Sequence, residues 1–529
     1  MVSNTKKQRL EEADLVIEEI MSVTGTPAIS YTVVQHGKTL HTRHLGYRDV
    51  SAGLQANDQT RFSINSMSKS LVSALAGIIA ASGSVDLNAP VKKYLPDFVC
   101  YDSRLSDQIT LVDLLSHRTG ITNYDQIWLG SHNAVLIDRD QVIQTFATLK
   151  PCGRFRDSFV YNNWGYELVG MVLEKVTGKD LDILLQEHIF EPLGLTRTST
   201  DWNFDDSNNA KAYFVMQDLS VTEVGRPTIG KGTVMEAAGG VKSTIEDLTV
   251  LYSEYLHAII SQFESRSDST NGSVFRHCRD IVTSHSRFPG PSLREQGYGL
   301  GLARGQLPGQ LGRVSLTHAV GPEPFVGRDS EPKLVLYHHG AMPGSTTCVH
   351  LLPEENVFII VLQNSSSPLD TADFVSQCLL EKFLDTKTPN NYKQLSQAYA
   401  QQGLGHQERV RQKLEEKRNS NTTPKKLQAY IGKYWNDIHN FCIEVCEADG
   451  KLQMRLQGLE SEAFALNHYE NDTFTWWMPH DEVARRGRFI AGYDASYYLI
   501  TFSGKDDEFD TLHWAWDSNL ADEASLFKK

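Results

Sequence analysis

The spacing Ser-x-x-Lys could place a hydroxyl beside an amine for nucleophilic chemistry, and the chain contains this spacing four times. The four serines are Ser3, Ser66, Ser330 and Ser525. Only Ser66 is followed by a stretch, "LVSALAGIIAA" at 71–81, that is apolar enough for a buried helix. Residues three positions apart lie on one face of a helix, so Ser66 and Lys69 can meet there.

Ser66 could act as a nucleophile if Lys69 accepts its proton, because a serine hydroxyl is a poor nucleophile without a neighbouring base. A lysine in a dry site close to other positive groups loses proton affinity and can serve as that base. The helix N-terminus adds backbone N–H groups that stabilise developing negative charge. The motif alone is equally compatible with a structural role, in which Ser63 caps the helix and Lys69 reaches solvent.

A second group could reach the same cleft from the Tyr-x-Asn spacing at Tyr161 and Asn163. The spacing also occurs at Tyr434 and Tyr469, but only Tyr161 directly precedes a predicted helix. A tyrosine flanked by cations can have a lowered pKa and act as a general base, while the asparagine orients Lys69 and a substrate. The alternative is a helix cap by Asn162 or Asn163 beside a packed tyrosine.

A third candidate is the His-x-Gly spacing at His338 and Gly340, which ends a predicted strand. Glycine allows a ligand to approach the backbone closely, and N–H groups at the strand edge could form an oxyanion hole with the Ser66 N–H. Paired histidines could also bind zinc. No Asp, Glu or Cys cluster lies nearby at ligand spacing, so we expect neither a metal site nor a cofactor.

The elements that position these groups fall into three predicted segments. Residues 1–385 combine an amphipathic helix near 7–23, alternating strands around His36-Gly37 and later β-prone strands, with a polar surface insertion after residue 265. Residues 386–425 are hydrophilic and predict a linker. Residues 426–529 contain short alternating strands and five of the eight tryptophans, which predicts a small all-β domain.

Bulk composition excludes several function classes. The 529 residues predict two or more domains, and the net charge of −14 argues against nucleic acid or anionic membrane as partners.

The amino-terminal segment lacks the apolar core of a signal peptide, and no apolar run reaches the length of a membrane span. The seven cysteines include no CxxC. We therefore expect a cytoplasmic protein with free thiols.

The three motifs occur in the order Ser-x-x-Lys, Tyr-x-Asn and His-x-Gly, and in this order the chain resembles the serine β-lactamase and penicillin-binding-protein superfamily, in its class C and esterase branch. The stretches "LLSHRTGI" (114–121), "AAGGVKSTIEDL" (237–248) and "YGLGL" (298–302) are similar to landmarks of that family. The resemblance implies an α+β, β-lactamase/transpeptidase-like fold, with an antiparallel sheet flanked by helices and a helical subdomain. The C-terminal segment resembles a lipocalin-like barrel.

The resemblance also implies a role for each motif residue. Ser66 would accept the acyl group with Lys69 as its partner, and Tyr161 would be general base and leaving-group acid. The supporting groups would be Asn163, His338 and Gly340, with the N–H groups of Ser66 and Ala341 as oxyanion hole. His339 would face the other side of the strand. The chain departs from the family in lacking Lys-Thr-Gly, which is associated there with binding a carboxylate.

These features predict a serine hydrolase that forms an acyl-enzyme and cleaves an ester or amide of a small molecule. An acyltransferase that passes the same acyl group to an alcohol or amine is the nearest alternative. A catalytically silent scaffold is a further one, against which the joint presence of Ser66, Lys69 and Tyr161 argues. The sequence leaves the oligomeric state open.

Overall fold

The computed structural model describes residues 2–201, 206–489, 492–505, 508–520 and 524–529. A nine-stranded antiparallel sheet, here called the central sheet, organises the first part of the chain. Its strands in spatial order are Leu54–Gln55, Lys38–Asp49, Ala28–Gln35, Val357–Gln363, Ser345–Leu352, Lys333–Met342, Ala303–Leu307, Gln296–Tyr298 and Ser286–Arg287. The turn predicted at His36-Gly37 joins two of these strands.

Helices cover both faces of the central sheet. The sequences of its middle strands are therefore almost continuously apolar, because side chains on both faces are buried. In the strand Val357–Gln363, Ile359 and Val361 pack toward the helices Val2–Thr24 and Thr371–Leu384. Ile360 and Leu362 belong to the core on the opposite face, which includes the helices Ser68–Ala81 and Ile245–Ser265. The alternation follows from the two-residue period of a strand.

A layer of helices lies beyond Ser68–Ala81 and forms the predicted helical subdomain. Its longest member, Asn163–Thr177, contacts four short helices: Leu111–Leu115, Val142–Thr148, Leu181–Leu185 and Glu236–Gly239. The other short helices of this part are Ser103–Ser106 and Cys278–Val282. Its small sheets pair Phe62–Ser63 with Lys242–Ser243, Gly309–Gln310 with Phe325–Val326, and Ala212–Val215 with both Val221–Val224 and Ser365–Ser366. The predicted α+β fold class is confirmed.

The C-terminal part is a closed eight-stranded barrel, here called the C-terminal barrel, as predicted. Its strands are Gly432–Trp435, Cys442–Ala448, Lys451–Leu456, Ala463–Glu470, Thr473–Thr475, Leu499–Lys505, Glu508–Trp514 and Ser525–Lys528, with the helix His480–Arg485 between the fifth and sixth. Pairing of Trp435 with Lys528 closes the barrel. Buried aromatic side chains such as Trp476 and Trp514 fill it, and they account for the tryptophan enrichment.

The segment predicted as a hydrophilic linker, residues 386–425, contains two helices, Tyr392–Leu404 and His406–Lys417. Tyr392 and Tyr399 are buried seven residues apart, and Val410 and Leu414 four apart, so each helix has one apolar stripe. The first helix packs against Val2–Thr24. The hydrophilic composition belongs to the outer faces of these two helices.

The predicted polar insertion after residue 265 is also packed into the fold. Its helix Cys278–Val282 contacts Ser68–Ala81, with Phe275 and Ile281 buried. The next two strands, Ser286–Arg287 and Gln296–Tyr298, are the last two at one end of the central sheet, and Ser286–Arg287 is its edge strand. Over the part of the chain that the structure describes, no helix combines the length and apolarity needed to cross a bilayer.

Candidate active site

Ser66 and Lys69 meet at the start of the helix Ser68–Ala81. Ser66 lies in the single 3₁₀ turn Asn65–Met67 that leads directly into this helix. The Lys69 Nζ donates to Ser66 Oγ at 2.9 Å and to Ala238 O at 2.7 Å. Burial of the whole side chain lowers the pKa of Lys69 to about 7, against an opposing influence of Asp125. A lysine with this pKa is an uncharged amine in a large fraction of molecules at neutral pH.

The neighbouring serines have structural partners instead. Ser68 Oγ accepts from the Val241 N–H at 3.1 Å, and Ser70 Oγ donates to Met67 O at 2.8 Å. Ser63 belongs to the small strand pair with Lys242–Ser243 and makes no cap to the helix. The structure therefore does not contain the alternative arrangement, in which Ser63 caps the helix and Lys69 reaches solvent.

Asn162 and Asn163 divide the two functions that the sequence left open for them. Asn162 is the helix cap: its Oδ1 accepts from the Gly165 N–H at 3.0 Å. Asn163 Oδ1 accepts from Lys69 Nζ at 2.8 Å, so the second asparagine reaches the lysine. This separation follows from position, because a residue before the helix faces its free N–H groups while the next one points sideways.

Tyr161 lies beside Lys69, whose Nζ is 5.0 Å from the centre of the tyrosine ring. Burial raises the pKa of Tyr161 above its usual value, and hydrogen bonding with Ser66 opposes this only in part. The lowered pKa expected from the sequence is therefore wrong. The expectation failed because burial, the largest influence on this pKa, penalises the charged phenolate, and the hydrogen bond with Ser66 does not offset it.

Asp125 is a member of the site that the sequence motifs did not identify. Its carboxylate accepts from Asn163 Nδ2 at 3.1 Å and 3.0 Å, and from Trp128 Nε1 at 2.8 Å. These contacts hold the Asn163 amide with its oxygen toward Lys69. Burial raises the pKa of Asp125, and the lysine opposes the rise. The aspartate precedes its partner by 38 residues, and no local spacing signals the contact.

His338 is fully buried behind Tyr161. Its Nε2 lies 2.8 Å from Tyr298 OH and its Nδ1 lies 2.5 Å from His339 O. Nδ1–H therefore donates to the carbonyl, and Nε2 accepts from the tyrosine hydroxyl. Burial and the neighbouring Lys69 hold the pKa of His338 well below its usual range. The ring is neutral and cannot replace the charge of a Lys-Thr-Gly lysine.

Gly340 and Ala341 bring the strand edge to the nucleophile turn. A Cβ at Gly340 would clash with the backbone oxygen of Ile64 and with Thr347 Oγ1, so glycine permits this approach. The strand Lys333–Met342 pairs with Ala303–Leu307 only as far as Tyr337. Its last residues, 338–342, pair with Ser345–Leu352 alone among the described strands. The other edge of this segment is open, and Ala341 lines the adjoining cleft.

This cleft has a volume of about 710 Å³, and both parts of the chain line it. Ser66, Tyr161 and Asn163 lie on the first part, while Arg488 and Tyr493 come from the C-terminal barrel. The sequence motifs did not identify this barrel wall, because its contacts join residues several hundred positions apart.

One hydrogen-bonded group fixes the barrel wall in place. Glu462 accepts from the Ser131 N–H at 2.6 Å and from Ser131 Oγ at 3.1 Å, and it lies 3.4 Å from Arg488. Asn133 of the same loop donates to Pro343 O at 2.7 Å. Ser131 and Asn133 therefore join the loop, the region of the strand Lys333–Met342 and the barrel through hydrogen bonds.

His339 lies on the opposite face of its strand from His338, as expected, and its Nε2 is 3.0 Å from Asp373 Oδ1. The strand register places Cys348 directly across from His339. The sequence argument against a metal, that no Asp, Glu or Cys cluster lies nearby at ligand spacing, did not take this cross-strand neighbour into account. Ligand spacing along the chain cannot reveal partners on adjacent strands.

Comparison with known proteins gives two family matches. The model described as "Beta-lactamase" matches residues 13–377, and the model described as "Domain of unknown function (DUF3471)" matches residues 416–529. The unguisins hydrolase ungD of Aspergillus violaceofuscus is 26% identical over 502 residues, which cover 87% of this chain and 81% of that protein. The protein flp of Staphylococcus aureus is 27% identical over 38% of this chain and 41% of its own length.

A solved structure supports the fold along the whole chain. The octameric penicillin-binding protein homologue from Pyrococcus abyssi aligns with a TM-score of 0.55 at 20% identity, over 98% of this chain and 99% of that one.

Proposed function

Since the chain belongs to the beta-lactamase family, we propose that it is a serine hydrolase that forms an acyl-enzyme on Ser66. The observation that carries this proposal is the 2.9 Å contact between Lys69 Nζ and Ser66 Oγ, at a lysine whose pKa is lowered to about 7. An amine poised near neutral pH can both accept and return a proton in one catalytic cycle.

The proposed reaction begins when uncharged Lys69 takes the Ser66 proton and Oγ attacks the substrate carbonyl carbon. The N–H groups of Ser66 and Ala341 stabilise the resulting oxyanion. The proton then passes to the leaving group, directly from Lys69 or through the Tyr161 hydroxyl, as the bond to that group breaks. Tyr161 acts here as a proton donor rather than a phenolate base, because burial raises its pKa. Water then attacks the acyl-enzyme by the same route and releases the acid.

We propose an ester or amide of a small molecule as substrate. A cleft of about 710 Å³ is large enough for such a molecule. In related cell-wall enzymes the lysine of Lys-Thr-Gly is associated with binding the substrate carboxylate. His338 is neutral and offers no such charge, so we propose a substrate that needs no carboxylate at this position. The name of the unguisins hydrolase supports hydrolysis as the reaction. All seven cysteines are free, which supports a reducing compartment such as the cytoplasm.

The experiment is intact-mass spectrometry of the full chain after reaction with a fluorophosphonate, together with p-nitrophenyl ester hydrolysis. We expect one adduct, located on Ser66 by peptide mapping, and its loss in Ser66→Ala with hydrolysis reduced by at least about 10³-fold. Ser63→Ala is the matched control and should keep both. Unchanged adduct formation and turnover in a folded Ser66→Ala variant would contradict the proposal.

Product analysis separates hydrolysis from acyl transfer. With a small alcohol present at increasing concentration, a hydrolase should continue to release mainly the free acid. Predominant formation of the new ester at low alcohol concentration would instead support the acyltransferase alternative.

A further inference from the structure

Three potential metal-ligating side chains converge on the face of the central sheet that points away from Ser66. His339 and Cys348 are direct cross-strand partners, and His350 lies two residues beyond Cys348 on the same face. The ligand atoms of all three lie within 4.8 Å of one another, and Cys348 Sγ is 3.6 Å from His350 Nε2. Sulfur and nitrogen bound to one tetrahedral zinc ion are separated by about 3.5 Å. All three side chains are buried.

The helix Thr371–Leu384 supplies a partner for the outer nitrogen of each histidine. His339 Nε2 lies 3.0 Å from Asp373 Oδ1, and His350 Nδ1 lies 2.8 Å from Ser376 Oγ. These contacts direct His339 Nδ1 and His350 Nε2 toward the cysteine sulfur. A carboxylate or hydroxyl on the outer nitrogen is the arrangement that orients metal-binding histidines.

His339 Nδ1 is buried and makes no hydrogen bond of regular geometry among the described residues. The side chain with which it interacts is Cys348, the other ligand candidate across the strand pair. A buried polar atom that lacks a good partner destabilises the fold. Because this nitrogen belongs to the cluster of potential ligand atoms, a bound ion would remove that destabilisation.

We propose that His339, Cys348 and His350 bind one soft or borderline metal ion, Zn²⁺ or Cu⁺. Cysteine and histidine are the ligands that these two ions prefer. On binding, the Cys348 thiol loses its proton to solvent and the thiolate takes the metal; no oxidant or reductant takes part. With Zn²⁺, the charges of the Cys348 thiolate and the Asp373 carboxylate balance the ion, which the dry interior requires.

The experiment measures metal in the full chain after removal of any affinity tag. Protein from cultures supplied with zinc or with copper is dialysed against metal-free buffer and analysed by elemental mass spectrometry. We expect about one equivalent of one of the two metals in the wild type, and the more complete occupancy identifies the ion. Cys348→Ala and His350→Gln should each lower the content at least tenfold, while Cys378→Ala, a buried cysteine outside the cluster, should retain it.

Two further measurements keep the test decisive if a variant fails to fold. Added Co²⁺ should give the wild-type apoprotein a thiolate charge-transfer band, and Zn²⁺ or Cu⁺ should raise its thermal midpoint by a few degrees. Ser66→Ala should bind metal as the wild type does, since the site is independent of the proposed hydrolysis. Less than a tenth of an equivalent in the wild type, with no band and no shift, would overturn the proposal, as would equal binding by folded Cys348→Ala.

Discussion

At the scale of single residues, burial of Lys69 makes it a better base and lowers the stability of the folded state. Its pKa is lowered to about 7 by burial, from an ordinary value of 10.5. The folded state therefore binds fewer protons than the unfolded state between these values. It follows that stability rises with pH across this window, and that the cost of burying the lysine is largest at and below pH 7. Each unit of the pKa difference corresponds to about 1.4 kcal/mol.

Lys69→Met should abolish ester hydrolysis and increase the free energy of unfolding. We expect the gain to be largest near pH 6 and to shrink as the pH rises from about 7 toward 10, because the penalty in the wild type disappears there. Urea denaturation at several pH values measures this. Lys433→Met, at an exposed lysine of the C-terminal barrel, is the control and should show no such dependence. A gain that does not vary with pH would contradict the assignment.

Asp125 contacts Asn163 and does not act on a substrate directly. Its substitution tests whether Asp125 orients the Asn163 amide or only supports the fold. Asp125→Asn should lower kcat on the order of 10–100-fold, because the Asn163 amide loses its fixed orientation. It should also move the acidic limb of the pH–rate profile to lower pH, since the aspartate charge raises the pKa of Lys69 and its removal lowers that pKa. A reduced rate with an unshifted profile would indicate a merely structural role.

At the scale of elements, the close approach of the strand Lys333–Met342 to the Ser66 turn depends on Gly340. Gly340→Ala should reduce stability by about 1–3 kcal/mol and reduce acylation by fluorophosphonate, because the new methyl group meets the backbone oxygen of Ile64. Gly305→Ala, in the neighbouring strand, meets only the end of the Leu311 side chain within 3 Å. It should keep the acylation rate of the wild type; equal losses in both variants would mean that the approach is not specific to the site.

The elements that could be predicted from the sequence are those defined by local patterns. The helix that begins just after Ser66, the strand that contains His338 and the alternating strands of the barrel all follow from short periodicities. The end of that strand was predicted too early, because it continues through Gly340 to Met342. Asp125 and Cys348 could not be predicted, because strand register and loop path bring them to their partners. The helices within 386–425 were missed because their apolar stripes are narrow and their composition is mostly polar.

At the scale of the whole molecule, the barrel is held as one wall of the cleft by a buried group. Removing one partner of a buried ion pair leaves an uncompensated charge, at a cost of about 3–5 kcal/mol. Glu462→Gln should therefore destabilise the chain, and it should raise KM for extended substrates more than for short p-nitrophenyl esters, as Arg488 leaves its position. Steady-state kinetics on esters of increasing size measure this.

Glu444→Gln, in a 3.8 Å pair with Lys433 on the outside of the barrel, is the matched control for this prediction. Exposed ion pairs contribute little, so neither stability nor KM should change measurably. The same KM ratio between long and short esters in Glu462→Gln and in the wild type would mean that the barrel wall does not select substrates.

The pairing of Ala28–Gln35 with Val357–Gln363 in the central sheet has a consequence for synthesis of the protein. At ribosomal rates of about 5–20 residues per second, the earlier strand waits tens of seconds for its neighbour to emerge. Until then Ile29, Tyr31 and Val33 can pack only against the first helix, through residues such as Leu10 and Ile17, and the strand edge that pairs with Val357–Gln363 has no partner. We therefore expect the nascent chain to expose this open strand edge during most of its synthesis.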